Sequence, residues 1–151
     1  MAEVENIVDE MKRAYEGNAW HGPALKELLS GVSAEQAAAT PLAVAHSIWE
    51  IVLHIAGWQG VATLRLKGEP VAEPIDGDWP PVSNKSPESW SKAMAKLEST
   101  QAELLKEISR LPESTLQQTA AGTDYSVYFM LHGVIQHTLY HAGQIALLKR
   151  A

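Results

Sequence analysis

Histidine is the residue type in this chain with the clearest capacity for chemistry: there are six histidines and no cysteine. Without cysteine the chain has no thiolate metal ligand, no thiol nucleophile and no disulfide, which fits a reducing compartment. Imidazole nitrogens bind divalent transition metals such as zinc and nickel. A histidine metal site is therefore the first hypothesis. Helix geometry can test it, because each residue turns an α-helix by about 100° and raises it by about 1.5 Å.

Two histidines near the C-terminus have the spacing of a metal-binding pair. His137 and His141 are four residues apart, which places their rings about 40° apart on consecutive turns of a helix. Gln144 lies on the same face and is predicted to contact a ligand histidine or a substrate. His132 precedes His141 by nine residues and falls on the opposite side, so it is excluded from the site. Such pairs also occur by chance in many helices, and a plain surface pair stays an open alternative.

A third ligand is expected from a facing helix, where His46 and His54 are the candidates. On an unbroken helix they lie roughly 12 Å apart, whereas a ligand lies only ~2 Å from its ion, so both cannot bind one ion. We favour His54, which follows an apolar stretch and would be costly to bury unpaired. The alternative is a core histidine that donates to a backbone carbonyl. Glu50, one turn before His54, could complete the coordination, orient a ligand histidine or accept a proton.

The helices that must position these residues follow from apolar spacing and from proline and glycine breaks. Four helical segments are predicted, and together they indicate an all-α four-helix bundle in a single domain, residues 1–151. The loop between the second and third segments is rich in proline and long enough to line a site. A two-residue strand within 117–126 is also considered. The predicted segments are 4–30 with a break near Gly17 or Gly22-Pro23, 43–66, 86–111 and 127–149, with the loop at 68–85.

Composition excludes several classes of partner. The formal net charge is −6 and the basic residues are scattered, which argues against nucleic acid or an anionic membrane surface as the partner. No apolar stretch approaches the ~20 residues of a membrane span. The N-terminal segment is acidic and amphipathic, unlike a signal peptide. We therefore predict a cytoplasmic protein that acts on a small-molecule substrate.

Several segments resemble the DinB/YfiT-like superfamily of metal-binding four-helix bundles. The most specific are HSIWEIVLHIAGW, residues 46–58, and HTLYHAGQI, residues 137–145, and the similarity extends over nearly the whole chain. In that family one histidine of the second helix and a His-x-x-x-His pair of the last helix bind a divalent ion, commonly zinc or nickel. By match of motif these ligands are His54, His137 and His141. The resemblance also implies an up-down-down-up order of helices and a homodimer.

Three neutral ligands leave a divalent ion an open position, as in catalytic zinc sites. Two reactions follow: hydrolysis with Glu50 as proton acceptor, or transfer of a low-molecular-weight thiol to an electrophile. The resemblance favours thiol transfer, because relatives in the superfamily include transferases and isomerases that use such thiols. The competing hypothesis is a non-enzymatic, stress-associated bundle whose ion ties two helices together. A fourth protein ligand such as Glu50 would support that structural role.

Overall fold

Helices form all the regular secondary structure of the described chain. The structure, a computed structural model, describes residues 2–151, and in that range the only β-type pairing consists of two isolated bridges. One bridge joins Thr119 to Ser126, within the segment where a short strand is considered. The all-α class is confirmed. The elements are α1 Glu3–Tyr15, α2 Leu25–Leu29, α3 Ala34–Ala38, α4 Ile48–Leu66, α5 Pro87–Ile108, a 3₁₀ turn Glu113–Gln117 and α6 Val127–Leu148.

Serine side chains begin the three longest helices. Ser47, Ser86 and Ser126 each accept a hydrogen bond from a backbone N–H of the first turn of α4, α5 and α6. Such caps satisfy amide groups that have no partner within the helix. At α4 the cap is reciprocal, because Oε2 of Glu50 accepts from the Ser47 N–H at 2.7 Å. These caps fix where the helices that carry the histidines start.

One predicted helix break is confirmed and one predicted helix start is wrong. The first predicted segment is broken near Gly17, as predicted: α1 ends at Tyr15, because Gly17 and Asn18 adopt positive φ angles of 148° and 57°, and α2 forms separately. The second predicted helix corresponds to α4, which starts five residues later than predicted, at Ile48 rather than residue 43. Ser47 is extended and acts as the cap. His46 therefore precedes α4, and the argument that placed it two turns before His54 on one unbroken helix does not apply.

The core consists of two apolar clusters with polar side chains between them. The first cluster includes Ile51 of α4 and Ile145 of α6, and the second includes Leu104 of α5 and Leu131 of α6. Along α6, the stretch between the two clusters carries the histidine pair. The buried polar side chains in the middle of the long helices are His54, Gln59, Gln101, Thr138 and His141.

Helix α4 is central to the packing that forms the site. It packs against α5 and α6, and α3 covers its beginning, while α1 packs against α5 and α6. His54 on α4 is thereby brought against α6. The up-down-down-up order stays a prediction. None of the described helices combines the length and apolarity that a bilayer crossing requires.

Candidate metal centre

The structure brings His54, His137 and His141 together at the contact between α4 and α6. Nε2 of His137 lies 2.9 Å from Nε2 of His54 and 3.1 Å from Nε2 of His141. One ring nitrogen from each residue lies within 4.8 Å of the others. Ligands of one zinc ion lie at ~2 Å from it, so nitrogens grouped this closely can share an ion. The three histidines could therefore hold one metal ion. Helical spacing predicted the pair His137 and His141, and the apolar stretch before His54 predicted the third.

The outer nitrogen of His54 is held by the loop between α4 and α5. Its Nδ1 lies 2.8 Å from the backbone oxygen of Asp78 and 3.1 Å from the carboxylate Oδ1 of the same residue. Because both neighbours are acceptors, Nδ1 carries the proton and Nε2 keeps its lone pair for a metal. Trp58 donates its indole N–H to the same Oδ1 at 2.7 Å and thereby fixes the carboxylate.

Gln144 is the partner of the outer nitrogen of His141, as Asp78 is for His54. Its Oε1 lies 2.6 Å from Nδ1 of His141, one turn away on α6. An acceptor at Nδ1 orients the ring and directs Nε2 into the cluster. The predicted contact between Gln144 and a ligand histidine is present in the structure, while a contact between Gln144 and a substrate stays a prediction.

Glu50 lies at the start of α4, where its carboxylate accepts from the Ser47 N–H. The same oxygen lies 3.6 Å from Nδ1 of His46. Among residues 2–151, no aspartate or glutamate joins the three histidines as a further ligand. A role for Glu50 as proton acceptor stays a prediction, and any such role would act beside His46.

A tryptophan separates His46 from the cluster. The ring of Trp79 stacks on His46 at 3.6 Å and on His54 at 3.9 Å, with interplanar angles of 5° and 3°. The stack holds the plane of the His54 ring. His46 thus contacts the site through Trp79 and not as a ligand.

His132 lies on another face of α6, as helical spacing predicts. Its ring packs against Tyr128, and its nitrogens lie 3.5 Å from Oε1 of Glu3 and 3.8 Å from Oε2 of Glu10, both on α1. The residue thereby serves contacts between α6 and α1, away from the candidate metal centre.

Burial keeps the cluster in the form that binds metals. Desolvation, together with the neighbouring His141 and His54, lowers the pKa of His137 to about 4. Desolvation also lowers the pKa of His141, which the hydrogen bond to Gln144 partly opposes. Both imidazoles are therefore neutral at neutral pH, and neutral imidazole is the ligand form. The donor set fits a divalent ion such as zinc or nickel.

Two cavities border the cluster. One, of about 430 Å³, is lined by His54 and His137 together with largely apolar side chains. The other, of about 290 Å³, is lined by His46, Trp79 and His141. A third cavity of about 490 Å³ lies between α4 and the 68–85 loop and touches none of the three histidines. Small molecules can therefore approach the cluster along two routes.

Asp78 and Trp79 are the site residues that the sequence did not identify. Both belong to the loop for which the sequence predicted only that it could line a site. No periodicity relates a loop residue to a helix face, so spacing could not place either side chain beside His54.

These features define an all-helical protein in which imidazoles from two packed helices could hold one divalent ion. The family model described as the DinB superfamily matches residues 19–145, and the chain belongs to the DinB superfamily. This confirms the resemblance recognised in the sequence, and the three-histidine cluster agrees with it. No curated protein and no solved structure gives a match to the chain.

Proposed function

We propose that this protein is a metal-dependent transferase that joins a small thiol to an electrophilic carbon, with His54, His137 and His141 as ligands of a zinc or nickel ion. The observation that carries the proposal is the pair of cavities at one histidine cluster. A transfer reaction needs two molecules to meet at one point, and two cavities accommodate them. Membership in the DinB superfamily supports the choice of a thiol as one reactant.

The proposed reaction converts a thiol and an electrophile into a thioether, a proton and a leaving group. The thiol loses its proton, its sulfur bonds to the electrophilic carbon, and the bond from that carbon to the leaving group breaks with its electron pair. A divalent ion at the cluster would supply the positive charge that favours the thiolate form of the thiol.

The residues of the chain prepare the site for this charge. His137 and His141 are neutral, since burial lowers the pKa of each, so they leave the charge of an ion undiminished. Asp78 and Gln144 fix the two outer nitrogens. Orientation of ligand rings by such partners contributes substantially to metal affinity.

His46 is the proposed acceptor of the thiol proton, and Glu50 is its carboxylate partner. His46 lines that cavity, and its Nδ1 lies 3.6 Å from Glu50 Oε2. A proton released there would pass to the imidazole of His46, and the carboxylate of Glu50 would stabilise the resulting cation.

Two alternative functions, hydrolysis and a purely structural role of the ion, would require different features of the site. Hydrolysis requires one substrate and water, so it gives the second cavity no role. A purely structural ion is normally enclosed by four protein ligands, whereas the cluster formed by residues 2–151 contains three and borders two cavities. Both observations favour transfer.

The proposal is tested with protein purified without an affinity tag. Elemental analysis first identifies the metal, and a panel of small thiols is then assayed with a chromogenic chloronitrobenzene before and after chelation. We expect metal-dependent thioether formation with one class of thiol. We expect His137→Ala to lose both metal and rate, while the matched variant His132→Ala retains both. If no thiol reacts faster with the metal-loaded protein, or if the protein instead hydrolyses a panel of esters, thiol transfer is wrong.

A further inference from the structure

The larger cavity beside the histidines contains a cation that is free of any carboxylate partner. Arg65 lines the cavity near the end of α4. The carboxylate ion pairs of lysines and arginines within residues 2–151 involve other cations, such as Arg13, Lys67 and Lys96. The guanidinium of Arg65 donates instead to three neutral oxygens, on Val71, Ala72 and Tyr125. Its positive charge is therefore available to a ligand.

These three hydrogen bonds hold Arg65 in place without exhausting its donors. Nε donates to the Val71 backbone oxygen at 2.9 Å, Nη2 to the Ala72 backbone oxygen at 3.2 Å, and Nη1 to the Tyr125 hydroxyl at 2.7 Å. A guanidinium has five N–H donors, so one remains on each terminal nitrogen. Because the Tyr125 oxygen accepts from Arg65, the hydroxyl proton points elsewhere. Arg65 and Tyr125 can thus donate together to one anion.

Helix geometry places this cation in line with the histidine cluster. Arg65 follows His54 by eleven residues, which corresponds to about three turns, a rise of about 16 Å and an azimuth difference of about 20°. Helix side chains lean toward the N-terminus, and both Arg65 and His54 line this cavity. The wall between the two ends is apolar, including Val61, Ala62 and Val134.

The charged side chains at the two ends of the cavity have opposite sign. At the histidine end, Oδ1 of Asp78 accepts from Trp58 and lies 3.1 Å from His54. At the other end stands Arg65. Under the proposed function the ion at the histidine end takes the reacting thiolate, so Arg65 is the cation of this cavity that remains for a carboxylate.

We infer that the molecule bound in the larger cavity is an elongated, mostly apolar carboxylate, whose carboxylate is bound by Arg65 and Tyr125 and whose other end lies at the histidine cluster. This inference rests on the proposed function in that it takes the cavity as a substrate site. It assigns Arg65 and Tyr125 as the residues that select an anionic reactant, whether that reactant is the thiol or the electrophile.

Binding of a simple probe pair tests the anion site. Octanoate and its neutral counterpart octanamide are titrated into the metal-loaded protein by calorimetry. We expect octanoate to bind at least about tenfold more tightly, as charge-assisted hydrogen bonds to a guanidinium provide. Arg65→Gln should reduce the ratio of the two Kd values to near one, and Tyr125→Phe should reduce it several-fold. Lys96→Gln, which removes a cation from the neighbouring 490 Å³ cavity, should leave the ratio unchanged.

Other outcomes overturn the inference. It is wrong if octanoate and octanamide bind equally, if neither binds, or if the preference survives in Arg65→Gln. Should Arg65→Gln fail to fold because it loses its contacts to the loop, Tyr125→Phe decides the question, since it keeps the aromatic ring and removes only the hydroxyl.

Two further arms identify which reactant carries the carboxylate. In the first arm, mercaptooctanoate and mercaptooctanamide are compared as thiols, each with a neutral dye as the electrophile. In the second arm, chloronitrobenzoate and chloronitrobenzamide are compared as electrophiles, each with a neutral thiol. Arg65→Gln should abolish the preference for the acid in one arm, measured as kcat/KM. Octanoate binding is also measured in His137→Ala. A retained preference there, with no turnover of any thiol by the native protein, would reject thiol transfer and keep the anion site.

Discussion

At the scale of single residues, the candidate metal centre depends on side chains and backbone groups that do not bind the ion. Each of the two outer Nδ1 atoms of His54 and His141 faces an oxygen, from Asp78 and Gln144 respectively. An imidazole whose Nδ1 has no partner can adopt either tautomer and can rotate. Both kinds of disorder lower the metal affinity of its Nε2. The oxygen partners therefore decide how well three histidines act as one site.

Gln144 is a better position than Asp78 for testing this role. The partner of His54 is partly the backbone oxygen of Asp78, which no substitution removes. We expect Gln144→Ala to weaken metal binding by about tenfold or more, as loss of such a partner typically does. Gln136→Ala removes an exposed glutamine from the same helix and should leave the affinity unchanged. Competition with a chromophoric chelator measures both. Equal affinities in the two variants would mean that Gln144 does not orient His141.

At the scale of elements, the sequence predicted the helices that carry the site better than their ends. The spacing of His137 and His141 fixes their common face on any straight helix, and apolar residues before His54 place it inside the bundle. The predicted start of the second helix at residue 43 is wrong, because apolar spacing shows which face of a helix is buried but not where the helix begins. The correct signal was present in the sequence: Ser47 and Glu50 have the spacing of a capping box. Trp79 and Asp78 could not be placed, since loop conformation depends on tertiary contacts that have no sequence period.

The cap of α4 should contribute measurably to stability. Ser47 is buried, and its hydroxyl accepts from the Glu50 N–H at 3.2 Å. We expect Ser47→Ala to lower the free energy of unfolding by about 1 kcal/mol, the usual effect of losing a capping side chain. Ser99→Ala, at an exposed position inside α5, should be neutral or slightly stabilising because alanine favours helix. Urea denaturation measures both variants, and a loss no larger for Ser47→Ala than for Ser99→Ala would contradict the assignment.

At the scale of the whole molecule, the candidate site and the stability of the fold are linked through protons. The histidine cluster lies where α4 packs on α6, so its imidazoles lose water when the chain folds. In the unfolded chain a histidine titrates with an ordinary pKa near 6.5, whereas burial lowers the pKa of His137 to about 4 in the folded protein. Between these two values the unfolded chain binds more protons than the folded one.

The sign of the pH dependence follows from this difference. When the unfolded state binds more protons, the free energy of unfolding decreases as pH decreases. For the metal-free protein we therefore expect stability to be retained above pH 6.5 and to decline as pH falls from 6.5 toward 4, with His141, whose pKa is also lowered, adding to the decline. Urea denaturation of chelator-treated protein at several pH values measures the slope. His137→Gln should flatten it, because the substitution removes an imidazole whose pKa desolvation lowers, and His132→Gln, on another face of α6, should not remove it. A slope that is the same in His137→Gln as in the native chain would show that protonation of this histidine does not oppose folding, and would place the acid sensitivity of the protein elsewhere.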